Sequence, residues 1–205
     1  MHEHDRPAII DRIDTLTEDA ADWTATGEHT RSWWATPTAG SMTAVELNMT
    51  GLGLVDISDT DADRDIARRV GDPGVDRISH LYRVRFWVGG NSVVTSPVNT
   101  GATRFLHRLL TDVRDGHYVA GDAEREHARA LLDAPGDLPV IHGPCLVTGV
   151  ADGGAVAPLD ENFHDWFTNL LNRLAQVRHA LVSAIAHEIG IPPEQLGHVV
   201  LVALG

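Results

Sequence analysis

The sequence predicts an α+β fold: a mostly antiparallel sheet packed with helices, with a long C-terminal helix. Three observations predict it. Short stretches alternate between apolar and polar residues, as in 80–88 (HLYRVRFWV), which is the period of a half-buried strand. Other stretches repeat apolar residues three and four apart, which is the period of an amphipathic helix. The two kinds do not follow one another in regular β-α-β order, so a doubly wound parallel sheet is not expected.

Residues 6–26 read as a helix, because Ile9, Ile13, Leu16, Ala20 and Trp23 fall on one stripe. Pro7 suits its first turn and Gly27 its end. A loop over 28–41 carries Trp33 and Trp34. This segment, 1–40, precedes a single α+β domain over 41–205. Residues 43–49 alternate as a strand, with Val45, Leu47 and Met49 opposite Glu46 and Asn48. GLGLVDIS leads into an acidic short helix at 59–70, and GDPG at 71–74 is a turn.

In 80–88, Tyr82, Val84, Phe86 and Val88 share one face, and Arg83, Arg85 and Trp87 share the other. Gly89-Gly90-Asn91 reads as a hairpin turn into Val93-Val94-Thr95. Residues 99–113 form a helix capped by Asn99, with Phe105, Leu106, Leu109, Leu110 and Val113 buried. A more polar helix covers 121–133. Residues 138–150 read as a central strand bent at Gly143-Pro144, followed by a glycine turn at 152–154. The longest helix covers 160–189, capped by Asp160. Its stripe is Phe163, Phe167, Leu170, Leu174, Val177, Leu181 and Ile185. Residues 194–204 fit a short helix or a strand equally.

Composition excludes several functions. The 205 residues carry 16 basic and 29 acidic side chains, a formal charge of -13, and every basic residue is Arg. Such a chain repels phosphate backbones, so direct nucleic-acid binding is not expected. The absence of Lys fits a GC-rich genome. It also rules out a P-loop, and neither GxGxxG nor GxSxG occurs. One cysteine, Cys145, allows no internal disulfide and no CxxC motif. The start has no basic region followed by an apolar core, and no apolar run approaches the roughly 18 residues of a membrane span. A cytoplasmic protein is expected.

The segment SPVNTGATRFLHRLL (96–110), the strand VIHGPCLVTG (140–149) and the helix start PLDENFHDWF (158–167) together resemble a small domain of actinobacterial phages and plasmids. The resemblance covers about 80–167. It implies a mobile-element origin, an α+β fold and an accessory role in the host, and it carries no catalytic residue.

Candidate chemistry is sparse. DTDADRD (59–65) opens like a calcium loop, but Arg64 stands where Gly is needed and Val70 where Glu is needed. Its Asp residues read as a helix start. His142 and Cys145 are the candidates for a Cys–His catalyst, although regular strand geometry points residues three apart to opposite faces. The histidines lack ligand spacing: there is no HExxH, and His179 and His187 sit about 80° apart on a helix. No metal and no cofactor is expected.

Arg83, Arg85 and Trp87, with Asn99, Thr103 and Arg104 at the next helix start, form a candidate anion or nucleotide site. Trp33 and Trp34, with Asp59, Asp61, Asp63 and Asp65, form a candidate partner surface. Residues 1–80 hold 16 acids against 7 Arg, so the acidic charge is concentrated there.

The leading expectation is a non-enzymatic accessory protein that binds a host or element protein through its acidic surface. Its partner would be basic, for example a nucleic-acid-binding protein whose groove the chain occupies as a mimic. A homodimer is compatible with the sequence. The alternatives are a small-molecule or nucleotide binder and a Cys/His hydrolase.

Overall fold

A computed structural model of the chain describes Trp34, residues 37–49 and residues 51–190. The helix expected at 6–26, the tryptophans Trp23 and Trp33, and the segment 194–204 lie outside the described residues. The chain divides into two compact units, Trp34–Trp166 and Met1–Trp33 with Phe167–Gly205.

In the first unit, β1 (Ser41–Asn48) and β2 (Gly51–Ser58) precede α1 (Ala62–Val70), β3 (Val75–Ile78) and β4 (Val84–Gly89). A short helix α2 (Ser92–Thr95), then α3 (Thr100–Arg114) and α4 (Asp122–Asp133), lead to β5 (Cys145–Val150) and β6 (Val156–Ala157). The helix α5 begins at Glu161 and runs to Ile189. The strands form one sheet in the order β2-β1-β5-β4-β3, with β6 on β5, and every pairing is antiparallel. The fold is α+β.

The sheet has two covered faces. Antiparallel register puts Met42, Ala44, Ile57, Leu146 and Trp87 on one face, where Ile66 and Val70 of α1 close the cluster. Period-two alternation sends Val45, Leu47, Phe86 and Val147 to the other face. There Phe105 of α3 lies 6.1 Å from Phe86 and 5.4 Å from Trp166, ring centre to ring centre. Strand β5 is central, as its composition suggests, and all its residues but Val150 are buried. Gly149 is required there: a Cβ would collide with the carbonyl of Pro158.

Local signals account for the helix ends. Helix α1 stops at Gly71, in the left-handed region at φ 71, and Asp72 N–H reaches back to the Ala67 carbonyl. The Asn99 side chain accepts from Ala102 N–H at 2.9 Å and caps α3, whose expected apolar stripe is buried. Asp160 accepts from Phe163 N–H at 2.9 Å at the start of α5.

Two expectations are corrected. The segment after Gly89-Gly90-Asn91 is the short helix α2 and not the second strand of a hairpin; Val94 and Thr95 N–H both bond to the Asn91 carbonyl. Strand β4 instead pairs with β3, which alternation in 75–78 is too short to reveal, and with β5. The strand face that carries Arg83, Arg85 and Trp87 is covered only at its Trp87 end: α1 packs there and leaves Trp87 9% exposed, whereas Arg85 is half-buried and Arg83 exposed.

In the second unit the described residues run from Phe167 to Gly190 and are helical as far as Ile189. Phe167 and Leu170 are buried, whereas Leu174 of the same expected stripe is 54% exposed. Among the described residues no helix is long and apolar enough to cross a membrane.

Candidate functional site

The catalytic candidates are structural. Cys145 is held inside the sheet between Leu47 of β1 and Val88 of β4, and burial pushes its thiol far above the ordinary range. A thiolate is therefore strongly disfavoured. His142 does not reach it. The His142 Nδ1 lies 3.1 Å from the Ser96 carbonyl, in the short pairing that joins Val98 to His142. The bend between them is tight. Gly143 has φ 68, and a Cβ there would stand 2.9 Å from Ser96 Oγ.

The candidate anion site is not assembled. Asn99 is 1% exposed, and its amide donates to the carbonyls of Leu47 at 3.1 Å and Gly143 at 2.8 Å. It ties α3 to two strands besides capping the helix. Thr103 Oγ1 accepts from Ile141 N–H at 3.0 Å. These groups serve the α3 side of the sheet. Arg85 and Trp87 lie on the α1 side. Trp87 Nε1 donates to Thr148 Oγ1 at 2.8 Å, and the Arg85 guanidinium carbon stands 5.3 Å from the Trp87 ring centre. Arg83 precedes β4 and is exposed, and its charge acts on Tyr118. The alternation failed at Arg83 because β4 begins one residue later. Arg104 is exposed, and no described contact joins it to Arg85.

The partner residues divide too. Asp59, Asp61 and Asp63 are exposed at the entry to α1. Asp65 accepts from Ser58 N–H at 2.9 Å and pairs with Arg68 at 2.9 Å, so it holds the β2–α1 corner. Asp61 faces Arg64 at 3.6 Å. Trp34 stacks on His164, with ring centres 4.0 Å apart and planes 27° apart. That contact anchors Trp34 to the start of α5.

Several groups escaped sequence reasoning. Asp112 is 1% exposed and accepts from Trp166 Nε1 at 2.8 Å and Arg108 Nε at 3.0 Å. Its signal was present: it stands three residues after Leu109 and seven after Phe105, on the buried stripe. His80 Nδ1 and His127 Nε2 share a hydrogen bond of 3.1 Å across 47 residues. Burial, then the charge of His127, holds His80 below the ordinary histidine range. The Tyr82 N–H donates to Glu124 Oε1 at 2.7 Å beside it, fastening the 80–82 loop to α4. Arg77 lies on β3, opposite Trp87. No local pattern pairs such distant residues.

Among the described residues, no three His, Cys, Asp or Glu side chains are grouped to hold a metal ion. No family model, curated protein or solved structure matches the chain.

Proposed function

We infer that the protein acts by binding a basic protein partner, as an accessory protein of a phage or plasmid, and not by catalysis. The observation that carries this reading is the exposure of Asp59, Asp61 and Asp63 together at one corner of a chain with formal charge -13. Exposed carboxylates at a helix entry are well solvated and carry no burial penalty. They steer a basic partner into encounter and set its orientation. The single cysteine supplies no competing chemistry, since burial keeps it protonated.

The corner is short, and Arg64, Arg68 and Arg69 are interleaved with its acids. This mixed charge favours a local contact with a basic patch over the long anionic track of a nucleic-acid mimic.

The test is calorimetry of the full chain with an arginine-rich peptide at about 50 mM and about 500 mM salt, where the Debye length shortens severalfold. Binding is expected to weaken more than tenfold at the higher salt. It is expected to weaken comparably in the Asp59→Asn, Asp61→Asn, Asp63→Asn variant at the lower salt. Affinity indifferent to both changes overturns the reading.

A further inference from the structure

We propose that Arg77 and Arg85 form a binding site for a phosphate group on the α1 side of the sheet, beside the β5–β6 turn. The two arginines are brought together by pairing that no local pattern reveals. Arg77 of β3 stands opposite Trp87 of β4, and Arg85 is two residues before Trp87 on the same face. Diagonal neighbours of this kind are about 7–8 Å apart at the backbone, within reach of long side chains.

Among the described residues, Arg64, Arg68, Arg69, Arg108, Arg114 and Arg125 each pair with a carboxylate. Arg77 and Arg85 do not, and they share this with Arg83, Arg104 and Arg129; what distinguishes them is that strand pairing makes them cross-strand neighbours. Burial, and after it the like charge of Arg77, pulls the Arg85 guanidinium below its ordinary range. Two cations stand as diagonal cross-strand neighbours in a chain whose acids outnumber its bases by 29 to 16. An anion between them would relieve the repulsion on both.

Arg85 is also held in place for a ligand. Its Nη1 donates to the Gly154 carbonyl at 2.8 Å, and its guanidinium carbon stands over the Trp87 ring, 5.3 Å from the ring centre. Trp87 is in turn pinned by its hydrogen bond to Thr148. A guanidinium has five N–H donors, and this environment uses one of them. The Nε is enclosed and makes no hydrogen bond, so the protein itself does not satisfy the group. A fixed guanidinium with open donors and a second Arg beside it match a tetrahedral oxyanion carrying more than one charge. Arginine forks suit phosphate in this way, whereas a lone carboxylate would leave one cation unneutralised. The chemistry is shared by free phosphate and by the terminal phosphate of a small molecule. This site is separate from the acidic corner and does not depend on it.

The test uses the full chain labelled with ¹⁵N-arginine, titrated at constant ionic strength with inorganic phosphate and, separately, with glycerol phosphate. The Arg85 Nε–H resonance, assigned by its loss in Arg85→Gln, is expected to shift and saturate. Arg77→Gln, at an exposed position, is expected to weaken binding at least tenfold. Arg83→Gln removes an equal charge outside the site and is expected to leave the affinity within twofold. Saturation by inorganic phosphate alone assigns free phosphate as the ligand, and equal or tighter binding of glycerol phosphate assigns a phosphate ester. Failure of the Arg85 resonance to saturate with either probe overturns the site. Equal weakening in Arg77→Gln and Arg83→Gln also overturns it, because it reduces the effect to net charge.

Discussion

On one side of the sheet, α3 and the first turns of α5 bring Phe105, Phe163 and Trp166 against Phe86 and Val147, in a core thick enough to enclose polar groups. Asn99, Asp112 and Cys145 are all almost fully buried within it. On the other side, nine-residue α1 covers a thinner cluster of Met42, Ala44, Ile57, Trp87 and Leu146. Arg77 and Arg85 lie on that face with no carboxylate partner among the described residues. The contrast explains why residues that look chemical on the α3 side are structural. A thick core must satisfy every polar atom it encloses, so its amide and carboxylate are committed to internal hydrogen bonds. The thinner side can leave cations with donors to offer.

The contrast should appear first in stability. Leu109→Ala in α3 is expected to cost about 4–5 kcal/mol, the upper end for truncation of a buried aliphatic. Ile66→Ala, a matched truncation on the α1 side, should cost about 2–3 kcal/mol. Urea unfolding of both variants measures the difference, and equal costs would dissolve the distinction between the faces.

Asn99→Ala comes next. It removes the α3 cap and leaves the Leu47 and Gly143 carbonyls without their donor. A loss of about 2–3 kcal/mol is expected by the same assay. Asn99→Asp should keep the cap but not the donor, and recover only part of the loss. Full recovery would show that the two carbonyl bonds contribute nothing.

The smallest effect is a pH dependence at the loop over α4. His80 binds a proton less readily folded than unfolded, because burial and His127 disfavour its charged form. The unfolded chain therefore takes up more protons once the pH falls through the ordinary value of 6.5. Stability is full above that value and declines as the pH drops toward the lower folded value. His80 is only half-buried, so the decline should stay under about 1 kcal/mol after solvent screening. Unfolding midpoints at about pH 7.5 and about pH 5.5 should converge in His80→Gln. An unchanged pH slope in that variant would remove His80 from the account.

Much of the architecture was legible beforehand. Helices α3 and α4, the Asn99 and Asp160 caps, the turns at 71–74 and 152–154 and the central place of β5 all follow from residues within one or two turns of each other. Periodicity and capping are local effects, and a local reading finds them. Less of the site was legible. Arg85 and Trp87 were singled out correctly as neighbours, but Arg77 was missed because four-residue β3 is too short to show alternation. Asn99 and Thr103 were grouped with them through proximity along the chain, although the sheet lies between the two sets.

By itself the sequence determined the α+β class, the limits of α3 and α4 to within a residue, the acidic charge, and the exclusion of a P-loop lysine and of an internal disulfide. Only the tertiary structure decided which strands pair and which face each helix covers. It also decided that Asp112 is enclosed, that Cys145 is sealed and that Arg85 has a cation for a neighbour. The reason is physical. Central strand β5 pairs with β1 and β4 across tens of positions, and the free energy of such pairing resides in contacts that exist only once the sheet has formed.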